Sequence, residues 1–452
     1  MAAMRIVSQL LALVAALFVV VQPVAAQSIL RDAETEALLD DMSKPLIQAA
    51  GLRPEDVEIV LINDNSVNAF VAGGQAVYIN SGLIEAAESA EEVQGVIAHE
   101  LGHVTGGHAV LNLGAKSATN ISLLSILLGV AAAAAGGGDA AMGVLMAGQQ
   151  AAMGKYLAFN RTQEASADAA GAQYLSDAGI SGRGSIEFFK KLQNLEYRYG
   201  YRPREGDEYY RTHPMTADRI ATLSDTYQQD PAWETPADPR IEDRFQRAKA
   251  KLKGYLAQPN VTLQTYPEHM TGVPARYARA YAFHKDAHLD KAIAEADALI
   301  AADPDNPYFM ELKGQILLES GKPDEALAML RRATEMTNNN PLIATLFGHA
   351  LIATEESGNY EEAQRVLKAA VARDRRNPFA WYQLGVVYAA NGDMARARLA
   401  SAEQQALSGQ MPAALRSAKA AEAVLPHGSP DWIRAQDIAL EAQAAIERQK
   451  DR

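Results

Sequence analysis

Val96-Ile97-Ala98-His99-Glu100-Leu101-Gly102-His103 sets two imidazoles four residues apart, with a carboxylate directly after the first. On a helix, at about 100° per residue, His99 and His103 share one face and Glu100 lies roughly 60° round from His103, so the three groups are neighbours. Val93, Val96, Ile97, Leu101 and Val104 form the adjoining apolar stripe. These polar groups therefore border a buried surface, where an unpaired charge is expensive. A divalent metal removes the conflict: zinc takes neutral imidazole nitrogens at about 2.0–2.1 Å and keeps a position for water, whose proton the glutamate can accept. The pattern is short and made of common helix residues, so an ordinary buried helix is the competing reading and the surrounding sequence must decide.

Ser89 and Glu92 form a capping box that starts this helix, and Gly106-Gly107 stops it. Upstream, Val57 to Ile62, Asn65 to Val71 and Ala76 to Ile79 have the β-branched and aromatic content of short strands, with Gly73-Gly74 as a turn. Before them, Gln27 to Ala50 is acidic and helix-prone, with a break or kink expected at Pro45. Downstream, 121–153 holds two apolar segments around Gly136-Gly137-Gly138, which reads as a buried helical hairpin or as a mobile apolar flap making peripheral membrane contact. Leu157 to Ala178 reads as a further helix, with Glu164, Asp168 and Gly171 on one face.

The chain has 452 residues, 48% of them hydrophobic, which suggests two or three domains. A formal charge of −13 argues against a nucleic-acid partner. There is no cysteine, so disulfides, thiol nucleophiles and a lipid-modified N-terminal cysteine are excluded, and metal ligands must be His, Asp or Glu. Arg5, the apolar run Leu10 to Val21 and the small residues Val24-Ala25-Ala26 read as an export signal cleaved near Ala26, which fits a periplasmic location.

The C-terminal half is repetitive. Asn306-Pro307, Asn340-Pro341 and Asn377-Pro378 recur at spacings of 34 and 37 residues, interleaved with Gly314, Gly348 and Gly385 and with Ala326, Ala363 and Ala397. This is the pattern of tetratricopeptide repeats: small residues where paired helices touch, a polar turn, and Asn-Pro opening the next unit. A degenerate unit precedes Pro307 and another helical pair follows Gly409, giving four fairly clear units plus caps. Such stacks offer a concave face to peptides or proteins and carry no chemistry of their own.

Two histidines need a third ligand. Glu164 is the best candidate, and Asp168, one turn on, could accept a hydrogen bond from a ligand imidazole. His99-Glu100-Leu101-Gly102-His103 with Glu164-Ala165-Ser166-Ala167-Asp168, preceded by Asn68-Ala69-Phe70 and Gly73-Gly74, resembles the M48 family of zinc metallopeptidases, in a secreted form joined to tetratricopeptide repeats. The resemblance implies one zinc per chain held by His99, His103 and Glu164, with Glu100 as catalytic base and Asn68, Ala69 and Phe70 beside an extended substrate. Ser166 departs from the acidic residue common there, which alters neither ligand nor base. The resemblance also picks out Thr212-His213-Pro214 and Arg219: His213 would lie over the metal, as a closing fourth ligand or as a donor to the tetrahedral intermediate, whereas the residues alone equally allow a plain helix start. His108, His269, His284, His288, His349 and His427 read as surface or packing residues.

The expected architecture is mainly α with a small β-sheet: a signal peptide at 1–26, a zincin-like metalloprotease domain at 27–255, a linker at 256–273, and an α-solenoid of tetratricopeptide repeats at 274–452. The resemblance implies a protease of unfolded or misassembled envelope proteins, with the repeats holding clients or the outer-membrane machinery that inserts β-barrels. The competing class is a chaperone or adaptor for outer-membrane protein assembly with gated or minor proteolysis.

Overall fold

The computed structural model describes residues 29–108, 138–199, 213 and 216–450. The export signal, residues 121–137, Thr212 and Pro214 lie outside the described residues. The chain divides into two compact units, one of Leu39–Asp243 with the residues before Arg31, the other of Arg31–Leu38 with Arg244–Arg452.

In the first unit, strands β1 (Glu58–Ile62), β2 (Ala69–Ala72) and β3 (Ala76–Asn80) form a sheet in the order β1-β3-β2. β1 runs parallel to β3, pairing Glu58 with Ala76 through Ile62 with Asn80; β2 runs antiparallel, pairing Ala69 with Ile79 through Ala72 with Ala76. β2 is therefore an edge strand among the described residues. Helix α1 (Ala33–Ala49), whose first six residues count with the second unit, continues through Pro45 without the expected break. After the short α2 (Ser81–Ala86) comes α3 (Ala90–Thr105), the helix of the His-Glu motif. Ser89 accepts from the Glu92 amide at 3.3 Å, and Glu92 reaches back to the Glu88 amide at 2.9 Å, so the capping box closes one residue further out than usual. Val93, Val96, Ile97 and Leu101 are fully buried.

Helix α4 spans Gly138–Asp177 without interruption. The first apolar segment of 121–153 lies outside the described residues; the second, from Gly138 onward, is helical with no break before Leu157. This second segment is the leading half of the helix that carries Glu164, and Met146 on it is 65% exposed. Only isolated glycines (Gly143, Gly148, Gly154 and Gly171) fall inside this helix, each a cost of about 1 kcal/mol that the surrounding alanines and long side chains outweigh. None of the described helices is long and apolar enough to cross a membrane. α5 (Arg183–Tyr199) and α6 (Ala217–Gln228) pack against α3 and α4 respectively, and a 3-10 turn at Pro231–Glu234 leads to α7 (Pro239–Leu256).

The second unit holds α8 (Pro259–Thr265) and five antiparallel helix pairs: α9 (Val273–Lys285) with α10 (Leu289–Ala302), α11 (Pro307–Glu319) with α12 (Pro323–Met336), α13 (Pro341–Ala353) with α14 (Asn359–Arg373), α15 (Pro378–Ala390) with α16 (Met394–Leu407), and α17 (Met411–Glu422) with α18 (Pro430–Lys450). The Asn-Pro repeat has a direct cause. Asn306, Asn340 and Asn377 accept from the amides of Tyr308, Leu342 and Phe379, while the following proline fills the first helical position. At Gly314 and Gly348 a Cβ would come within 2.5 Å and 2.6 Å of Leu330 and Leu367 on the paired helix, so only glycine lets those leucines seat. The core then runs continuously through neighbouring pairs, as Leu330, Phe347, Leu367 and Leu384 in one cluster.

Candidate metal centre

α3 and α4 meet through small residues. A Cβ on Gly102 would fall 2.6 Å from the Ala167 carbonyl oxygen, and one on Gly171 3.1 Å from the Ala98 backbone, so the two backbones approach closely enough for short carboxylates on α4 to reach imidazoles on α3. There His99 Nε2 lies 3.2 Å from His103 Nε2 and 3.4 Å from Glu164 Oε2, and His103 Nε2 lies 3.4 Å from Glu164 Oε1. His213 closes the group: its Nδ1 is 3.0 Å and 3.1 Å from the two Glu164 oxygens and 3.3 Å from His99 Nε2. One donor atom from each of the four falls within 4.8 Å of all the others, and all four residues are buried.

Three nitrogens and a carboxylate converging among buried side chains fit a borderline cation such as zinc, with Nε2 of both α3 histidines turned to the same point. Glu100 adds a second mark of fit. Both its carboxylate oxygens are buried without a hydrogen-bond partner among the described residues, and His213 Nε2 lies 3.7 Å from Oε1. A buried carboxylate left unsatisfied is costly, and it is found where a substrate or water is to be engaged.

The electrostatics ask for positive charge at the same place. Burial disfavours charging His99, yet its contacts with Asp168 and Glu164 outweigh this and raise its pKa to about 10. Burial likewise opposes ionising Glu164, but the three histidines hold its carboxyl far below the usual carboxylate range. Asp168 is also held low despite burial, by His99 and by Arg219.

Asp168 Oδ1 lies 3.0 Å from His99 Nδ1, the ring nitrogen facing away from the cluster. Arg219, picked out in the sequence without a stated contact, grips Asp168 with two bonds of 2.7 Å and reaches Glu164 Oε2 at 3.1 Å, tying the two carboxylates together. His108 corrects the expectation of an ordinary surface or packing residue, for its Nδ1 lies 2.8 Å from His103 Nδ1. The Gly106-Gly107 stop was the available signal, since that turn brings the chain back over the helix end. Asn68 and Ala69 are buried and Phe70 stacks on Tyr78 at 5.1 Å, so these three residues lie at the sheet edge and not among the converging donors. His284, also expected to be unremarkable, pairs with Glu319 at 2.7 Å in the repeats.

Residues 33–227 match the family described as Peptidase family M48, and residues 277–341 and 353–414 match the Tetratricopeptide repeat. The chain thus carries an M48 peptidase domain followed by tetratricopeptide repeats, and its class is that of a metalloprotease. It is 26% identical over 408 residues to the Beta-barrel assembly-enhancing protease of Escherichia coli (strain K12), covering 88% of this chain and 80% of that one. It is 25% identical over 429 residues to the protein of the same name from Yersinia pestis, covering 92% and 85%. Metalloprotease LoiP of Escherichia coli (strain K12) is 32% identical over 183 residues, 39% of this chain and 65% of that one.

Proposed function

We propose that this chain is an exported zinc endopeptidase of the bacterial periplasm that cleaves extended segments of misfolded or misassembled envelope proteins. The observation that carries the reading is the convergence of His99, His103, Glu164 and His213 beside the unsatisfied carboxylate of Glu100. His99 Nε2, His103 Nε2 and Glu164 hold the metal. Zinc bound there supplies Lewis acidity toward a scissile carbonyl and makes water a nucleophile near neutral pH. Glu100 takes the proton from the attacking water on a carboxylate oxygen and hands it to the leaving amine nitrogen. Asp168 fixes His99 as the tautomer with its proton on Nδ1, and Arg219 holds Asp168 and Glu164 in register.

The substrate adds as a strand along the edge of β2, near Asn68 to Phe70, where main-chain hydrogen bonds supply binding and selectivity stays loose. The name of the enterobacterial relatives supports envelope β-barrel assembly as the setting, with the repeats holding a client or the assembly machinery. The N-terminal sequence supports export. Glu100→Gln removes the base while keeping the ligands: cleavage of unfolded casein should fall to background, and normal cleavage by that variant overturns the assignment.

One observation favours the chaperone or adaptor reading as a second mode. His213 already touches Glu164 and His99, so it stands as a fourth group closing the site to water and substrate. On this account His213→Ala raises casein turnover; if His213 instead stabilises the intermediate, turnover falls.

A further inference from the structure

The two α3 histidines turn the same nitrogen to the cluster but are held from behind in different ways. His99 Nδ1 meets a carboxylate, Asp168, at 3.0 Å. His103 Nδ1 meets another imidazole, that of His108, at 2.8 Å, with ring centroids 4.9 Å apart and planes at 73°. Two ring nitrogens at that distance are one donor and one acceptor. With His103 Nε2 turned to the metal ligands, its proton sits on Nδ1 and is donated, so His108 Nδ1 accepts and His108 carries its own proton on Nε2.

The contact is built by the helix end. The His108 amide donates to the His103 carbonyl at 3.0 Å, and the Gly107 amide donates to that of Val104 at 3.1 Å. This is the pair of bonds of a Schellman motif, in which the side chains three residues before the cap and two after it meet. Usually both are apolar; here both are histidines. The turn needs Gly107 at φ +64°, which favours glycine. Gly106 is needed for a different reason, since a Cβ there would fall 2.5 Å from His108 Nε2 and displace the ring.

We propose that His108 is a positioning residue for the metal centre: its neutral imidazole accepts the Nδ1 proton of His103 and locks that ligand in the tautomer and ring plane that present Nε2 to zinc. This rests on the zinc assignment above. A neutral acceptor orients His103 as Asp168 orients His99, without adding a further negative charge to a site that already holds Glu100, Glu164 and Asp168.

The test uses the full-length protein and zinc itself. Zinc affinity is measured by chelator competition for the wild type, His108→Phe and His108→Asn, with thermal unfolding of the metal-free proteins as a folding control. His108→Phe keeps a ring but no acceptor, and should weaken zinc binding by about 10–100-fold. Asn places a carbonyl oxygen near the position of Nδ1 and should restore most of the loss. In the zinc-loaded wild type, long-range nitrogen–proton NMR should show His103 protonated on Nδ1 and His108 on Nε2. Equal affinity in all three proteins, Asn no better than Phe, or a proton on His108 Nδ1 each overturns the proposal. Failure of the wild type to bind zinc overturns the zinc assignment instead, so the two are told apart.

Discussion

The two units each bury an ionic cluster, and the clusters are closed in opposite ways. In the repeat unit, Glu34 is fully buried and its carboxylate receives Arg247 at 3.1 Å and the Tyr277 hydroxyl at 2.7 Å, with Lys251 at 3.6 Å and Asp32 also paired to Lys251. Burial works against a charge on Lys251, but Asp32 and Glu34 keep its pKa well above the ordinary value. Nearby Arg279, 1% exposed, gives its guanidinium to Glu295 at 2.6 Å and to the carbonyls of Pro267 and Met270. Permanent cations answer Asp32, Glu34 and Glu295 directly, while the neighbouring Glu311 carboxyl is pushed by burial toward its uncharged form. In the peptidase unit Glu164 meets three histidines, which can be neutral, besides Arg219 at 3.1 Å, and both Glu100 oxygens are buried without a hydrogen bond among the described residues. A buried cluster completed by arginine and lysine is structural; one completed by imidazoles, with a carboxylate left over, is built to take a cation and a substrate.

The comparison can be broken from either side. The largest effect belongs to metal removal: a strong chelator should abolish casein cleavage, and zinc should restore it, while the repeat unit keeps its helical signal throughout. Cleavage that survives chelation would count against the distinction. Next comes Glu34→Ala, which takes the Glu34 carboxylate from Arg247 and the Tyr277 hydroxyl while Lys251 keeps Asp32, and should destabilise the repeat unit by about 3–5 kcal/mol. Denaturant unfolding measures this, and a loss below about 1 kcal/mol would show that the cluster is not closed as described. Arg219→Gln should reduce zinc affinity or turnover by about 10–100-fold, since Asp168 and Glu164 lose their common anchor.

The smallest effect is a pH dependence. The Glu311 carboxyl lies by the Asp32, Glu34 and Lys251 charges with Oε2 buried and unpartnered among the described residues, and burial lifts its pKa to about 8 from an ordinary value near 4.5. The unfolded chain therefore releases a proton that the folded unit keeps, so this group's contribution is complete below about pH 4.5 and is lost as pH rises through about 8. Glu311→Gln should flatten the fall in unfolding temperature of the repeat unit between these limits. An unchanged slope would place the titration elsewhere.

Much of this was legible in the sequence because it is local. His99, Glu100 and His103 are one helical turn, Glu164 and Asp168 another, and each Asn-Pro is a cap next to its own helix. What escaped depends on chain returning from far away or on a single turn's handedness. The Glu34–Tyr277 bond joins residues 243 apart, and Arg219 meets Asp168 across 51 residues; neither leaves a periodic trace. His108 was written in the sequence five residues after His103, a spacing that puts side chains on different faces of a continued helix and together only when Gly107 reverses the chain. The continuity of the helix through 138–177 escaped because its apolar first part and its polar second part read as two separate segments, whereas the backbone crosses the single Gly154 between them.

The most direct test of the central claim is the zinc stoichiometry and affinity of the full-length wild type, Glu100→Gln and Glu164→Gln, measured side by side by chelator competition. If the imidazole-closed cluster is the metal centre, wild type and Glu100→Gln bind one zinc per chain with matching affinity and Glu164→Gln binds it at least about 100-fold more weakly. Equal binding by all three, or none by the wild type, would contradict it.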